Sequence, residues 1–278
     1  MTDDVKTVLV TGSTDGIGRA TAAELSRRGM RVLVHARNEA RGRDAIERIA
    51  QPAGGERLEL VVSDFTSLSQ IRRMARDIRS RFDRLDVLVN NAGVYRRSRH
   101  ETEDGLEETF QVNFLSQHLL THLLLDLLRQ SAPARVVNIS SVAHFSVDEV
   151  DFGNLQAERY YDGYDAYATS KLAIVCFTYE MARRIDPREL TVNCMHPGVI
   201  DTKLLRSGFP LSRGAPPEVG AANESYVATA AELEGVTGTY FDKQQPIESS
   251  PLTYDPEIRR GLWEVAEELS GPGREQAA

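Results

Sequence analysis

The stretch that most restricts how this chain can fold lies near its N-terminus. Lys6 to Val10 is a Val-rich apolar run that breaks into Thr11-Gly12-Ser13-Thr14-Asp15-Gly16-Ile17-Gly18, and Ile17 to Arg28 then repeats with a helical period. Strand, glycine-rich turn and helix in that order form a βα unit whose turn can hold a nucleotide diphosphate. The spacing gives each glycine a separate task. Gly12 permits a tight turn off the strand, Gly16 lets the backbone come close to a diphosphate, and Gly18 allows helix and strand to pack. The N–H groups at the helix start face the anion. Gly29 closes the helix as its C′ residue. A tight corner with no ligand is the plain alternative for the turn taken alone.

The same alternation continues along the chain. Further strands are predicted at Arg31–Ala36, Arg57–Val62, Asp86–Val89, Arg135–Ile139, Leu190–Met195 and Gly238–Phe241. A helix capped by Thr66 or Ser67 runs to Arg81, and a long one over Glu103–Arg129 carries an apolar stripe through Phe110, Phe114, Leu120 and Leu124. Others follow at Asp165–Ile185, Val219–Ala231 and Pro256–Leu269. Residues 142–165 are polar, aromatic and irregular. Residues 203–217 hold three Pro and two Gly among fifteen positions and read as a mobile loop. With 278 residues, 41% hydrophobic, and no repeat or linker, the expectation is α/β: a single doubly wound (Rossmann) domain over residues 1–278, with a seven-stranded, mainly parallel sheet.

Charge and composition exclude several classes of partner. A net charge of −8 leaves no basic face for a phosphate backbone, so no nucleic acid is expected. Cys176 and Cys194 sit among apolar residues and suit two reduced, buried thiols. The chain opens on acidic Asp3 and Asp4, and no apolar run approaches the roughly 18 residues that span a bilayer. A cytoplasmic protein with no membrane partner is expected. No metal site is assigned.

Chemistry-bearing residues collect where the strands end. The second strand ends on Ala36, where a carboxylate would receive a ribose 2′-hydroxyl, and Arg37 follows, which with Arg41 or Arg43 can bind a 2′-phosphate. The cofactor favoured is therefore NADP(H), although Asp15 places an acid in the turn. Asp64, after the third strand, can accept from an adenine amino group. Asn90-Asn91-Ala92-Gly93 follows the fourth strand, Ser140-Ser141 the fifth, and His196-Pro197-Gly198-Val199-Ile200-Asp201-Thr202 the sixth. Tyr167 and Lys171 lie one helical turn apart on one face, where an ammonium can approach a phenol whose ordinary pKa is about 10 and make it an acid/base group. On a solvent-facing helix they would be only two surface residues. Tyr160, Tyr161 and Tyr164 are rival phenols, but none has a lysine four residues on. Asn113 is the odd polar residue in its helix.

Thr11-Gly12-x-x-x-Gly16-Ile17-Gly18, Asn90-Asn91-Ala92-Gly93, Asn113, Ser141, Tyr167-x-x-x-Lys171 and Pro197-Gly198 resemble, in order and approximate position, the motifs of the short-chain dehydrogenase/reductase family. The match spans nearly the whole chain. Asn138-Ile139-Ser140-Ser141-Val142-Ala143-His144, Gly238-Thr239-Tyr240-Phe241, Ser250-Pro251 and Leu262-Trp263-Glu264 are similar to the retinol-dehydrogenase type, as is the long interval from Ser141 to Tyr167. The resemblance implies that Tyr167 exchanges a proton with the substrate oxygen. Lys171 would hold the nicotinamide ribose and lower the tyrosine pKa, Ser141 would bind the carbonyl, and Asn113 would position a water linking Lys171 to solvent. The implied cofactor site comprises Gly12, Ser13, Thr14, Asp15, Gly16, Ile17, Gly18, Arg37, Asp64, Asn91, Ala92, Gly93, Tyr167, Lys171, Pro197, Gly198, Val199 and Thr202.

The resulting expectation is an NADP(H)-dependent carbonyl reductase or alcohol dehydrogenase acting on a small-molecule carbonyl or alcohol, with a homodimer left open. A redox-neutral epimerase or cyclase on the same fold, and a non-catalytic nucleotide-sensing protein, are the other readings. Residues 142–165 and 203–217 should wall the substrate site. The second segment, short and carrying Lys203, Arg206 and Arg213, suggests a soluble, moderately bulky, polycyclic or polar-substituted substrate and not a membrane retinoid. Phe145, Phe152, Leu204, Leu205 and Phe209 are the expected apolar contacts.

Overall fold

One eight-stranded sheet organises the computed structural model, which describes residues 5–53, 57–209 and 213–271. Strands β1 (Thr7–Val10), β2 (Arg31–Ala36), β3 (Leu58–Val62), β4 (Val87–Asn90), β5 (Ala134–Ile139), β6 (Leu190–His196), β7 (Tyr240–Asp242) and β8 (Gln245–Ile247) lie in the order β3-β2-β1-β4-β5-β6-β7-β8. All pairs through β7 are parallel, and β8 returns antiparallel against β7. The order reverses at β1, between β2 and β4, which opens a crevice at the carboxyl ends of the strands. The eighth strand departs from the expected seven. It is three exposed residues containing Pro246, and only an edge strand tolerates a proline that cannot donate to the ladder.

Helices cover both faces. On one side lie α1 (Gly16–Arg27), α2 (Glu39–Ala53) and a later helix at Pro217–Thr229; on the other lie α3 (Leu68–Arg81) and the helical segments after β4. Alternate strand residues serve the two layers: Leu9, Leu33, Leu88, Val136 and Val192 enter one core, and Val8, Val10, Val32, Val34, Val89 and Val137 the other. That two-sided burial is why these strands read as unbroken apolar runs. Ser67, not Thr66, caps α3, its hydroxyl accepting from the Gln70 N–H. Among the described residues no helix is long and apolar enough to cross a membrane.

Two predicted elements are broken or reshaped. The long helix expected over 103–129 starts only at Glu108, because Gly105 takes φ +75° and Glu107 accepts from the Thr109 and Phe110 N–H groups as an N-cap. It proceeds as α4 (Glu108–Phe110), a π-helical stretch (Gln111–Leu115) and α5 (Ser116–Leu123), then breaks at Leu124 before α6 (Leu125–Gln130). The 22-residue α7 (Gly163–Arg184) follows β5 and two short 3₁₀ turns. In the segment expected to be loop, Lys203–Gly208 forms a short helix, α8, because the Thr202 hydroxyl caps the Leu205 N–H. Helices α9 (Pro217–Thr229) and α10 (Pro256–Ser270) complete the chain.

Three buried titratable groups tie stability to pH. His35 on β2 is 2% exposed, His196 on β6 is 8%, and Glu224 on α9 is fully buried, its carboxylate accepting from the Thr21 hydroxyl at 2.7 Å. Burial pushes both imidazoles down to about 4 and the Glu224 carboxyl up to about 8. Between pH 6.5 and 4 the unfolded chain binds two protons that the folded histidines refuse, so their contribution is complete above pH 6.5 and fades as pH falls. Glu224 works in the opposite sense, since in that range the fold already holds its proton. The two histidines outweigh the one glutamate. Urea unfolding at pH 7, 5.5 and 4 is expected to show stability falling at the acid end by at least about 3 kcal/mol, since the fully buried His118, also pushed down to about 4 by burial, adds in the same sense.

Candidate active site

A cleft of about 700 Å³ opens beyond the carboxyl ends of the central strands. Its floor at one end is the glycine turn. Gly12 has φ +67°, and a Cβ there would stand 2.9 Å from the Ala92 Cα; a Cβ on Gly18 would meet Asn91 Nδ2 at 2.3 Å and the Gly12 carbonyl at 2.6 Å. Glycine is therefore required for close packing, as the spacing implied. The Asn91 amide donates to the Thr11 carbonyl at 2.7 Å, and the Ala92 N–H donates to the Thr11 hydroxyl at 2.9 Å, so the turns after β1 and β4 are bolted together.

His35, which sequence reasoning passed over, holds this turn from below. Its Nδ1 accepts the Gly12 N–H at 2.9 Å and its Nε2 donates to the Ser63 carbonyl at 2.9 Å, which requires the neutral Nε2–H tautomer. The available signal was a polar residue in an otherwise apolar strand. Ser13 turns inward, donating to the Val10 carbonyl at 2.8 Å, and does not line the cleft. Every other residue expected to hold the cofactor does.

The donor set fits a phosphorylated dinucleotide. The first-turn N–H groups of α1 lack intrahelical acceptors and face the glycine cradle. Ala36 is buried, while Arg37 and Arg41 line the cleft; Arg43 is instead paired with Glu39. Asp15, the acid in the turn, caps the Gly16 N–H at 2.9 Å and pairs with Lys203 at 2.5 Å, which together hold its carboxyl below the usual range against the cost of its burial. The Asp64 Oδ1 accepts from the Thr66 N–H and hydroxyl at 3.0 and 2.9 Å.

At the inner end, α7 is set by Asp162, whose carboxylate accepts from the Tyr164 and Asp165 N–H groups at 2.7 and 3.0 Å. One turn on, Tyr167 and Lys171 are both buried, with Lys171 Nζ 5.6 Å from the Tyr167 ring centroid. The lysine ammonium donates a hydrogen bond to the Ile139 carbonyl at 2.8 Å. Burial pushes the Tyr167 phenol up to about 12, with a hydrogen bond to Ser141 acting against it, and pushes the Lys171 ammonium down to about 8. The expected lowering of the phenol by the lysine is thus not what the protein's own groups produce: desolvation of both partners dominates.

Ser140 and Ser141 both line the cleft, but Ser140 spends its hydroxyl on the Lys171 carbonyl at 2.8 Å, whereas the half-buried Ser141 accepts from the Ala143 N–H at 3.2 Å. His144 steadies the Ser141 turn, donating from Nδ1 to the Ser141 carbonyl at 2.6 Å and accepting the Ser250 N–H on Nε2 at 3.1 Å. Asn113, in the π-helical stretch, does not line the cleft. Its amide donates to the Val94 carbonyl and the Ser170 hydroxyl, each at 3.0 Å, and its oxygen accepts the Val94 N–H at 2.8 Å. It braces the turn after β4 against α7. Of the rival phenols, Tyr161 donates to the Arg96 carbonyl, Tyr160 is exposed, and Tyr164 lines the cleft beside Ser146.

The mouth is aromatic. Tyr95, a further omission of the sequence reading, lies 5.7 Å from the Tyr167 ring and 5.4 Å from Phe209, and packs with Ala143, Leu204 and Phe209. Leu204, Leu205 and Phe209 line the cleft as expected; Phe145 and Phe152 do not, the first packing on His144 and Tyr240, the second on Gly261. Of the two expected walls, Val142, Ala143 and Tyr164 come from the first and α8 with Phe209 from the second, whose residues 210–212 lie outside the described residues. Lys203 is paired with Asp15 and Arg206 with Asp201, so the basic charge counted on this segment is largely answered.

With this geometry in view, comparison with known proteins is direct. The family model for short chain dehydrogenases matches residues 6–210. Retinol dehydrogenase 13 of Homo sapiens is 41% identical over 285 residues, covering 96% of this chain and 85% of its own. Polyprenol dehydrogenase of Homo sapiens is 35% identical over 96% of this chain and 85% of its own. Among solved structures, the RhlG/NADP active-site complex of Pseudomonas aeruginosa aligns with a TM-score of 0.70 at 29% identity, over 85% of this chain and 94% of that one. Family model, relatives and sheet topology agree, and the chain belongs to the short-chain dehydrogenase/reductase family, among its retinol-dehydrogenase-type members.

Proposed function

We propose that this protein is an NADP(H)-dependent oxidoreductase interconverting a carbonyl and an alcohol, with Tyr167 as the acid/base. The observation that carries the reading is the convergence of Tyr167, Ser141 and Lys171 at the inner end of the cleft whose outer end is the glycine cradle. Bound NADP(H) would supply or accept the hydride. The Ser141 hydroxyl hydrogen-bonds the substrate oxygen, and the Tyr167 hydroxyl gives that oxygen its proton or takes it back. A phenol held up to about 12 by burial keeps its proton at neutral pH, the form needed to protonate a reduced carbonyl. Replacing Tyr167 by Phe is expected to lower kcat by about 10²–10⁴-fold with the NADPH dissociation constant unchanged. Near-full turnover in the Phe variant would refute the assignment. Epimerase, cyclase and sensor readings predict no net oxidation of NADPH by added carbonyl compounds.

The cofactor choice rests on Arg37 and Arg41 lining the cleft beside buried Ala36, and agrees with the NADP of the RhlG complex. Paired titrations should give tighter binding of NADPH than of NADH. Arg37→Ala should erase most of the difference by weakening NADPH alone, since the lost contact is to the 2′-phosphate. Equal affinities in the wild type would end the hypothesis.

For the substrate, the paired state of Lys203 and Arg206 removes the main ground for a polar one. An aromatic mouth of Tyr95, Tyr164 and Phe209 suits a bulky, largely apolar carbonyl or alcohol, in line with the retinol and polyprenol in the names of the relatives. Each CH₂ removed from water contributes about 0.8 kcal/mol, or roughly fourfold in kcat/KM where it is buried. Against a panel of retinal, short polyprenals and soluble polycyclic ketones, kcat/KM should rise with apolar length. A preference for polar-substituted ketones would restore the original expectation.

A further inference from the structure

Between α5 and α10, two imidazoles and a carboxylate converge without any part in the chemistry above. His118 and His122 lie one turn apart on α5, and Glu267 faces them from α10. His118 Nε2 is 3.4 Å and His122 Nε2 is 3.8 Å from Glu267 Oε1, and one ligand atom from each residue lies within 4.8 Å of the others. His118 is fully buried, and neither of its ring nitrogens has a hydrogen-bond partner among the described residues. The 3.4 Å contact of Nε2 with Glu267 is long for a hydrogen bond, and Nδ1 has not even that. Buried polar atoms left in that condition are costly and uncommon.

His122 shows the complementary feature. Its Nδ1 donates to the His118 carbonyl at 2.8 Å, leaving Nε2 as the lone-pair nitrogen on the side of Glu267. A metal-ligating imidazole is typically held in this way, by a second hydrogen bond that fixes tautomer and ring orientation. Phe177 and Trp263 wall the group, their rings 5.1 and 5.4 Å from His118, while Glu267 is 40% exposed and provides a path from solvent. Arg184 is the opposing charge nearby; it stacks on Trp263 at 4.0 Å and is tied to Glu180 at 2.7 Å.

We propose that His118, His122 and Glu267 form a binding site for a divalent transition-metal ion, with Zn²⁺ the best match to two imidazoles and one carboxylate. Tetrahedral coordination at about 2.0–2.1 Å spaces ligand atoms about 3.3 Å apart. The His118–Glu267 pair already stands at that distance and the His122–Glu267 pair nearly so. The ion would clip α5 to α10, and α5 continues directly from the π-helical stretch that carries Asn113. Its role is structural, since none of the three ligands lines the cleft.

The test uses untagged, chelator-stripped full-length protein, with Zn²⁺ binding followed by calorimetry and Co²⁺ binding by visible absorption. One ion per chain is expected, with the intense d–d bands of a tetrahedral site for Co²⁺. At about 100-fold excess over its dissociation constant, Zn²⁺ should raise Tm by roughly 5 °C. His122→Ala and Glu267→Gln, both at the solvent-facing side, should each weaken binding at least about tenfold while keeping the circular dichroism and metal-free turnover of the wild type. His118→Phe should abolish binding. Failure of the wild type to take up one ion, or equal uptake by the His122 and Glu267 variants, would overturn the site.

Discussion

The contact on which the site depends is the approach of Gly18 to the Gly12 carbonyl, so close that a Cβ would stand 2.6 Å from that oxygen. It seats the start of α1 directly over the end of β1. Because Asn91 and Ala92 are bonded to Thr11, the turn after β4 moves with the same unit. His35 carries the unit to β2 and, through Ser63, to the end of β3. Four parallel strands thus end in one ledge, and the first-turn N–H groups of α1 are carried on that ledge.

The opposite end of the cleft is built on burial. Tyr167 and Lys171 are pulled out of water by the layer of helices that includes α7, and desolvation moves both toward neutrality, the phenol upward and the ammonium downward. Ser140 and Ile139 hold the lysine in place: the serine hydroxyl donates to the Lys171 carbonyl and the Ile139 carbonyl accepts a hydrogen bond from the ammonium. The adjacent serines therefore have separate tasks, one anchoring the helix to β5 and the other left to face the cleft.

Much of this was legible in the sequence where a local pattern and a long-range requirement coincide. Continuous apolar runs announced strands buried on two faces, and the G-x-x-x-G-x-G spacing announced both the turn and its packing. The Tyr167–Lys171 interval announced a shared helix face. Less was legible where a side chain's role depends on a distant partner. Nothing in the neighbours of His35 shows that it will meet Gly12, and nothing beside Tyr95 shows that Phe209 will close over it. The helix over 103–129 failed for a related reason: its apolar stripe is continuous, but Glu107 caps it late and a π-helical stretch resets its phase near Asn113. Of the basic residues of 203–217 only Lys203 lines the cleft, and the acidic partners of Lys203 and Arg206, Asp15 and Asp201, lie before the segment in the chain.

Asn113 is held as a brace by every polar atom of its side chain. Both of its amide protons are committed, to Val94 and Ser170, and its oxygen accepts from Val94. A water between Lys171 and solvent cannot then be held by those protons without breaking the brace. The π-helical geometry of Gln111–Leu115 shifts the backbone pairing of this stretch from the α pattern, with the Ser116 N–H donating to the Gln111 carbonyl five residues back. The side chain's contribution is to fix Val94, and hence Gly93, beside Lys171, where a Gly93 Cβ would stand 3.6 Å from the ammonium. Substituting Asn113 therefore acts on the distance between the β4 turn and α7 before it acts on any proton path.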